Sequence, residues 1–366
     1  MSTSENAAYF GSLTWTGGTM TVPSDTPPNT AHTIVQGGMS LTGNNITRIL
    51  NGRTLDNLGL AQLSGNGSLQ VNAEAVLNNP PGSTFEIADD GDLLWNSTTA
   101  LGSVNNGGTF SKSGGAGVSD IRPIFNNAGL LHVQIGTLRF LSGGLTQTDG
   151  STLLDGGALK STPPINIHGG ILTGNGTVTG NVNTMNTGAV HPGQSAGVID
   201  IVGNYTQTTT GELEIELGGY TQGEEFDLLT VSAAASLNGT LHVALIDGFL
   251  PQIGDQFVVL TAGSVAGTFA SVVTTPPALE VNVLYDAQSV KIEIVEVPTI
   301  LCGTCGGDVT GDNAVDGDDV GAFVACLFGG ATACDCADMN ADSVVDSQDV
   351  DLFVAKLLED VDPSCP

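Results

Sequence analysis

Short stretches that alternate apolar and polar residues recur through the first 200 residues. They include Leu60–Leu63 ("LAQL"), Ser83–Ile87 ("STFEI"), Thr109–Lys112 ("TFSK"), Leu130–Ile135 ("LLHVQI") and Ala189–Pro192 ("AVHP"). Alternation of period two places Leu, Val, Ile and Phe on one side of a strand and Thr, Ser and Gln on the other. An Asn/Gly corner precedes each stretch. These corners are Leu55-Asp56-Asn57-Leu58-Gly59, Leu77-Asn78-Asn79 with Gly82, Val104-Asn105-Asn106-Gly107-Gly108, Phe125-Asn126-Asn127-Ala128-Gly129 and Met185-Asn186-Thr187-Gly188. Asn and Gly tolerate the left-handed backbone of a tight corner. Neighbouring corners among the first four lie 21 to 27 residues apart.

A period in that range, with one strand–corner unit per repeat, predicts a stacked solenoid. Each coil covers the apolar edge of the last, as in a right-handed parallel β-helix. The stacked Asn side chains are expected to hydrogen-bond between rungs as a ladder. The irregular spacing also accommodates a β-sandwich of hairpins, and that alternative stays open at this point.

Near residue 200 the strands lengthen: "GELEIELGG", "DLLTVSAAASLNGTLHVALIDGF", "GDQFVVLTAGSVAGTFASV" and "SVKIEIVEV" follow one another between Gly, Pro and Asp turns. They predict an all-β cap or small sandwich over residues 201–298, because a solenoid end exposes unpaired strand edges. Glu212, Glu214 and Glu216 share one face of such a strand, which fits a cation or sugar site or simply a solvated face. At "VPTILCGTCGG" the pattern breaks. From residue 299 the apolar period becomes helical. Val320, Phe323, Val324 and Leu327 make one stripe, and Val350, Phe353, Val354 and Leu357 repeat it 30 residues on.

Composition sharpens this picture. Apolar residues make up 40% of the 366, too many for a disordered chain, and 51 glycines with few Lys and Glu favour short strands over long helices. Eight Lys or Arg stand against 38 Asp or Glu, a net charge of −30. No basic surface exists to displace counterions, so nucleic acid is excluded as a partner. No apolar run has the length of a membrane span. The start, "MSTSENAAYF", lacks a basic segment followed by an apolar one. All six cysteines, Cys302, Cys305, Cys326, Cys334, Cys336 and Cys365, fall in the tail. An even count in so short a stretch predicts disulfides and an extracellular setting. The competing reading is a zinc site from Cys302, Cys305, Cys334 and Cys336.

The tail also carries two acidic loops, "DVTGDNAVDGDD" and "DMNADSVVDSQD". Side-chain oxygens fall at loop positions 1, 3, 5, 9 and 12. These are Asp308, Thr310, Asp312, Asp316 and Asp319 in the first loop, and Asp338, Asn340, Asp342, Asp346 and Asp349 in the second. Position 7, Ala314 or Val344, offers a backbone carbonyl. That is the EF-hand spacing for Ca²⁺, which takes about 6–8 hard oxygen ligands. Two bound Ca²⁺ would offset the repulsion among the aspartates. One helix follows each loop and none precedes it.

This duplicated loop–helix, with Asp at position 12, resembles a type I dockerin module over residues 301–366. The resemblance implies calcium-dependent folding and docking to a cohesin-type domain on a scaffold or surface protein. It assigns partner contacts to positions 10 and 11, here Gly317, Asp318, Ser347 and Gln348. The chain departs from the family in having unlike pairs there, Asn313 and Ser343 instead of Gly at position 6, and extra cysteines. In those cysteines it is similar to the Cys-rich variants of planctomycete-type bacteria. "GNGTVTGNV" with the following "GAVHPGQSAGVIDIVGNYTQTTTGELEIELGG" resembles surface β-helix proteins of the adhesin and autotransporter-passenger type, over roughly residues 10–290.

Carbohydrate-active enzymes, polysaccharide lyases and glycoside hydrolases alike, are the rival reading, with a polysaccharide as substrate. Lyases need a basic proton acceptor, yet Arg48, Arg53, Lys112, Arg122, Arg139, Lys160 and Lys291 are scattered. Hydrolases need paired carboxylates. The candidates are Asp89, Asp90 and Asp92, which read first as a turn, and Asp149 with Asp155. His32, His132, His168, His191 and His242 share no metal-ligand spacing. Only Trp15 and Trp95 offer an indole face to a sugar. The expectation is a mostly-β protein, secreted or on a cell surface. A β-helix over 1–200 and a cap over 201–298 precede a small α module over 299–366. It serves as a non-catalytic structural or adhesive rod.

Overall fold

The computed structural model describes residues 6–9, 11–22, 27–297, 306–310, 314–328, 334, 336–340, 342 and 344–358. Its 32 described strands join in one hydrogen-bonded sheet, and two short helices follow. Each early strand pairs in parallel with the third strand after it, so one coil contributes one strand to each of three faces. One face stacks His32–Val35, Thr54–Asn57, Val76–Asn79, Ser103–Asn106 and Ile124–Asn127. The second stacks Met39–Thr42, Leu60–Ser64, Thr84–Ile87, Thr109–Lys112 and Leu130–Val133. The third stacks Thr47–Asn51, Ser68–Asn72, Asp92–Leu94, Val118–Ile121 and Thr137–Phe140. This is a parallel β-helix, and parallel pairing excludes the sandwich of hairpins.

The register stacks like on like. Leu55, Leu77, Val104, Phe125 and Leu145 form one inward column, all buried. Phe85 stacks on Phe110 with ring centroids 5.1 Å apart; Phe110 meets Phe125 edge-on at 4.9 Å, and Phe125 meets Phe140 at 5.4 Å. Parallel strands buried on their inner side hold this apolar ladder continuously, which is where most of the burial free energy resides.

The corner asparagines do what their repetition predicts. Each buried amide donates to the next: Asn57 to Asn79 at 2.9 Å, Asn79 to Asn106 at 2.8 Å, Asn106 to Asn127 at 2.7 Å and Asn127 to Gln147 at 3.2 Å. Each also donates to a backbone carbonyl across the corner, those of Thr84, Thr109, Leu130 and Ser151 in turn. The carboxamide therefore satisfies carbonyls that the turn removes from the β ladder. Farther on, buried Gln207 bonds the carbonyls of Gly211 and Thr240 in the same way. A second, outward ladder runs from Asn126 to Asn105 to Asn78 to Asp56.

Lys112 interrupts an inward column of Leu63, Ile87, Val133 and Leu154. Its side chain is fully buried, and its ammonium reaches the corner, where it donates to the carbonyls of Asp89 and Gly114, to Ser119 Oγ and to Asp90 Oδ1 at 3.0 Å. The "ADDGD" stretch is thus a corner held from within.

Beyond residue 200 the parallel ladder continues. Val198–Val202 pairs with Leu228–Leu237, which pairs with Gln256–Gly267; Glu212–Leu217 pairs with Thr240–Leu245, which pairs with Ser271–Thr275. Among the described strands, antiparallel ladders form where Ser289–Glu296 folds back on Gln256–Gly267 and on Glu280–Tyr285. The fold-back pairs edges that a further coil would otherwise occupy. Helix α1 (Asp319–Leu327) lies close by: a Cβ at Gly248 would sit 3.0 Å from Gly321 Cα.

Two predictions test this architecture. Asn106→Ala removes three hydrogen bonds, two of them fully buried, and orphans their partners, at a cost of about 3 kcal/mol or more. Asn105→Ala, on the outward ladder, should cost much less in the same urea titration; equal losses would show that the inner ladder is incidental. Burial pushes the Asp227 carboxyl up to about 8, against the backbone N–H groups of Gly197 and Glu216 that donate to it. Between the ordinary carboxylate range and pH 8 the folded chain therefore holds a proton that the unfolded chain lacks. Its stability contribution is present at low pH and lost as pH rises through 8, by up to ~1.4 kcal/mol per pH unit. Denaturant unfolding from pH 4 to 9 checks this, and Asp227→Asn should flatten the slope.

Candidate functional site

The two acidic loops repeat one bonding pattern. In the first, Asp319 is fully buried, and its Oδ1 accepts the backbone N–H groups of Val309 and Thr310, each at 2.8 Å, and the Thr310 hydroxyl at 2.9 Å. Asp319 Oδ2 accepts the N–H of Asp316 at 2.9 Å. In the second, Asp349 is likewise buried; its Oδ1 accepts from Met339 and Asn340, and its Oδ2 accepts from Asp346 at 2.9 Å. Position 12 thus ties positions 2, 3 and 9 together in both loops. Asp316 and Asp346 each accept an N–H two residues on, from Asp318 and Gln348. The latter bond and the Asp349 bond form a capping box at the start of helix α2 (Ser347–Leu357).

In the second loop, Asp338 Oδ1 and Asn340 Oδ1 converge on the N–H of Asp342, at 3.1 and 2.8 Å. Asp308 is fully buried, while Thr310 and Asp316 stand at the surface and Ala314 between these extremes. The described donors are all oxygen, and three of the carboxylates are withdrawn from water. Such a donor set fits a hard divalent cation. Asp312, Asn313 and Ser343 lie outside the described residues. Gly317, Asp318, Ser347 and Gln348 are all exposed at the helix starts.

Phe323 and Phe353, equivalent positions of α1 and α2, stack face to face with centroids 4.0 Å apart. They anchor a small core with Val309, Ala322, Cys326, Cys336 and Ala337. Cys326 and Cys334 form a disulfide with Cα atoms 5.5 Å apart, and Cys336 is disulfide-bonded as well. Among the described residues no cysteine is free, so these three do not supply a zinc site. Cys302, Cys305 and Cys365 lie outside the described residues. Of the rest of the predicted apolar stripes, Val350 and Leu357 pack against this core, while other positions, and the residues just past the helix ends, face water. Val320, Val324 and Val354 are more than 40% exposed, Phe328 is 82% exposed and Leu358 76%. Two short helices meeting through one ring pair are too small to bury both stripes.

Three features on the β-helix answer the search for an active site. The Asp90 carboxylate is committed to Lys112, the Asp89 carboxylate accepts the N–H of Asp90, and that of Asp149 accepts the N–H of Gly150. Asp155 pairs with His132 at 3.0 Å, and Asp56 with His32 at 2.9 Å. Trp15 is buried, and the Trp95 indole donates to the Thr99 carbonyl. Across three coils, however, Asp92, Asp120, Arg122 and Arg139 converge. Asp92 accepts the N–H of Asp120 at 2.7 Å, Arg139 Nε donates to Asp120 Oδ1 at 2.6 Å, and Arg122 lies 3.8 Å from Asp120 Oδ2. Burial raises the Asp92 carboxyl above its usual range.

The histidines scattered in sequence are not all scattered in space. Val190 pairs with Leu213, which puts His191 opposite Glu214, and Glu214 pairs with His242. The outward column His191–Glu214–His242 therefore crosses three adjacent strands. His191 Nε2 is 3.5 Å from Glu214 Oε2 and 3.9 Å from Glu212 Oε1; His242 Nδ1 is 3.1 Å from Glu214 Oε2. Sequence spacing hides this group, because coil length and not helical turn sets which residues meet. The signal was strand register: His191 and His242 sit at the outward phase of strands flanking the Glu row.

No described helix is long and apolar enough to cross a membrane. Comparison with protein-family models and with curated proteins gives no match for the chain.

Asp349→Ala deletes the acceptor of three backbone N–H groups and should loosen the second loop and α2 by roughly 2–4 kcal/mol. Amide exchange over residues 337–358 should accelerate strongly, while Asp351→Ala, on the exposed side of the same helix, should leave it unchanged. Equal exchange in both variants would show that position 12 does not organise the loop.

Proposed function

We propose that the chain is a non-catalytic structural or adhesive β-solenoid, secreted or displayed on a cell surface, and tethered through a dockerin-like, calcium-dependent module. The observation that carries this reading is the residue-for-residue repetition of the two loop–helix units, including the triple use of Asp319 and Asp349. Asp308, Thr310, Asp312, Asp316 and Asp319, with the Ala314 carbonyl, would hold one Ca²⁺. Asp338, Asn340, Asp342, Asp346 and Asp349, with the Val344 carbonyl, would hold the second. The ions supply the positive charge that lets these carboxylates stay close. Val324 on α1 and Val354 on α2, with Phe328 and Leu358 just past the helix ends, expose apolar side chains, and Gly317, Asp318, Ser347 and Gln348 are exposed at the helix starts. A surface of that kind suits a protein partner of the cohesin type. The disulfides support an oxidising, extracellular setting.

A second reading has one observation behind it. Asp92, with its raised carboxyl, lies beside Asp120, Arg122 and Arg139 on adjoining coils, and two carboxylates with arginines suit polysaccharide cleavage. Asp120 is already engaged by Arg139, which favours a structural role for the group.

Calorimetry on the full chain should count two Ca²⁺, and Asp319→Ala or Asp349→Ala should each lose one. Binding to purified cohesin domains should require calcium and weaken at least tenfold in a Val324→Asp, Val354→Asp double variant. No calcium uptake would overturn the tethering reading. Cleavage of uronate-containing or neutral polysaccharides, abolished by Asp92→Asn, would establish the enzyme instead.

A further inference from the structure

The outward column on the later coils has a chemistry of its own, independent of the tail. Parallel, in-register pairing stacks outward side chains of adjacent strands about 4.8 Å apart. His191, on Val182–Pro192, and Glu212 and Glu214, on Glu212–Leu217, therefore meet without any loop to position them. One ring nitrogen and one oxygen from each carboxylate lie within 4.8 Å of one another. In a tetrahedral zinc site, ligand bonds of about 2.0–2.1 Å put neighbouring donor atoms about 3.3 Å apart. The observed separations of 3.5 Å and 3.9 Å from His191 Nε2 to the two carboxylates need only a small adjustment to reach that value.

The ring nitrogen of His191 adds a second observation. His191 Nε2 is sealed from solvent and has no hydrogen-bond partner, although it faces two carboxylates. Among the described residues, the ion pairs of Glu212 and Glu214 run to His191 and His242. Glu216, on the same face of the same strand, adds further negative charge close by.

We propose that His191 Nε2 and one carboxylate oxygen each of Glu212 and Glu214 form a binding site for a borderline divalent cation, Zn²⁺ foremost, on the outer face of the β-helix. His242 is a positioning residue: its Nδ1 bonds Glu214 Oε2 at 3.1 Å and its Nε2 meets the Thr275 hydroxyl at 2.8 Å, so both ring nitrogens are engaged and Glu214 is held in place. Hydrogen-bonded support of this kind orients ligands at metal sites. An imidazole with two carboxylates selects Zn²⁺ over Ca²⁺, which takes oxygen donors alone. Three protein ligands leave a fourth position for water or for a group from a bound molecule.

The test is calorimetric titration of the chelator-stripped full chain with Zn²⁺, in millimolar Ca²⁺ so that the acidic loops do not compete. The expected result is one Zn²⁺ per chain at micromolar affinity. His191→Gln and Glu212→Gln should each abolish or strongly weaken it, and His242→Ala should weaken it about 10–100-fold. Urea unfolding of each variant shows whether the fold persists; these outward side chains leave the inward columns untouched. His132→Gln, at the His132–Asp155 pair on an earlier coil, should leave uptake unchanged. No uptake below millimolar Zn²⁺ would overturn the proposal, as would undiminished uptake by His191→Gln and Glu212→Gln.

Discussion

The inner amide ladder is the constraint on which the β-helix rests. At every corner the chain leaves the sheet, and its backbone carbonyls lose their partners inside a dry interior. One carboxamide per coil repairs this, bonding the next amide and the carbonyl across the turn at once. An apolar residue at the same position would fill the space and leave the carbonyl bare. The requirement fixes where each coil turns, and the turns fix the phase of the strands between them. The phenylalanine stack and the aliphatic columns follow from that phase, because the residue after each turn is forced to the same side in every coil.

Much of this was readable from sequence, for a physical reason. The ladder demands Asn at a fixed point in each coil, so chemistry leaves a visible mark at Asn57, Asn79, Asn106 and Asn127. The acidic loops were legible on the same grounds, since the spacing of Asp319 and Asp349 from their loop starts is set by local backbone geometry. The shared face of Glu212, Glu214 and Glu216 was legible too, but the approach of His191 and His242 to Glu214 was not. Their contact depends on coil lengths of unequal size, and no local rule converts those lengths into neighbours. Nor did the helical stripes reveal that Val324 and Val354 stay in water. A period of 3.6 says which residues share a face but not whether anything covers it.

The molecule therefore divides its labour by the type of order it uses. The solenoid gains stability by repetition, each coil contacting only its neighbours, and it displays outward columns of stacked side chains. The tail is too small to be stabilised that way and relies on a disulfide, one ring pair and two loops whose carboxylates gather backbone N–H groups. One part tolerates its negative charge by spreading it along a long surface. The other concentrates it in two short loops.

The coils are unequal, and the inequality is placed with care. Successive amides of the ladder are 22, 27, 21 and 20 residues apart, yet the inner bonds hardly change. The longest coil sheds its surplus outward, at residues 95–102, where residues 73–75 suffice one coil earlier. Insertions and deletions are in this way decoupled from the interior. A lineage can lengthen, shorten or redecorate one edge of the rod while the inner ladder keeps count, so the exterior is free to diversify at a rate the core never feels.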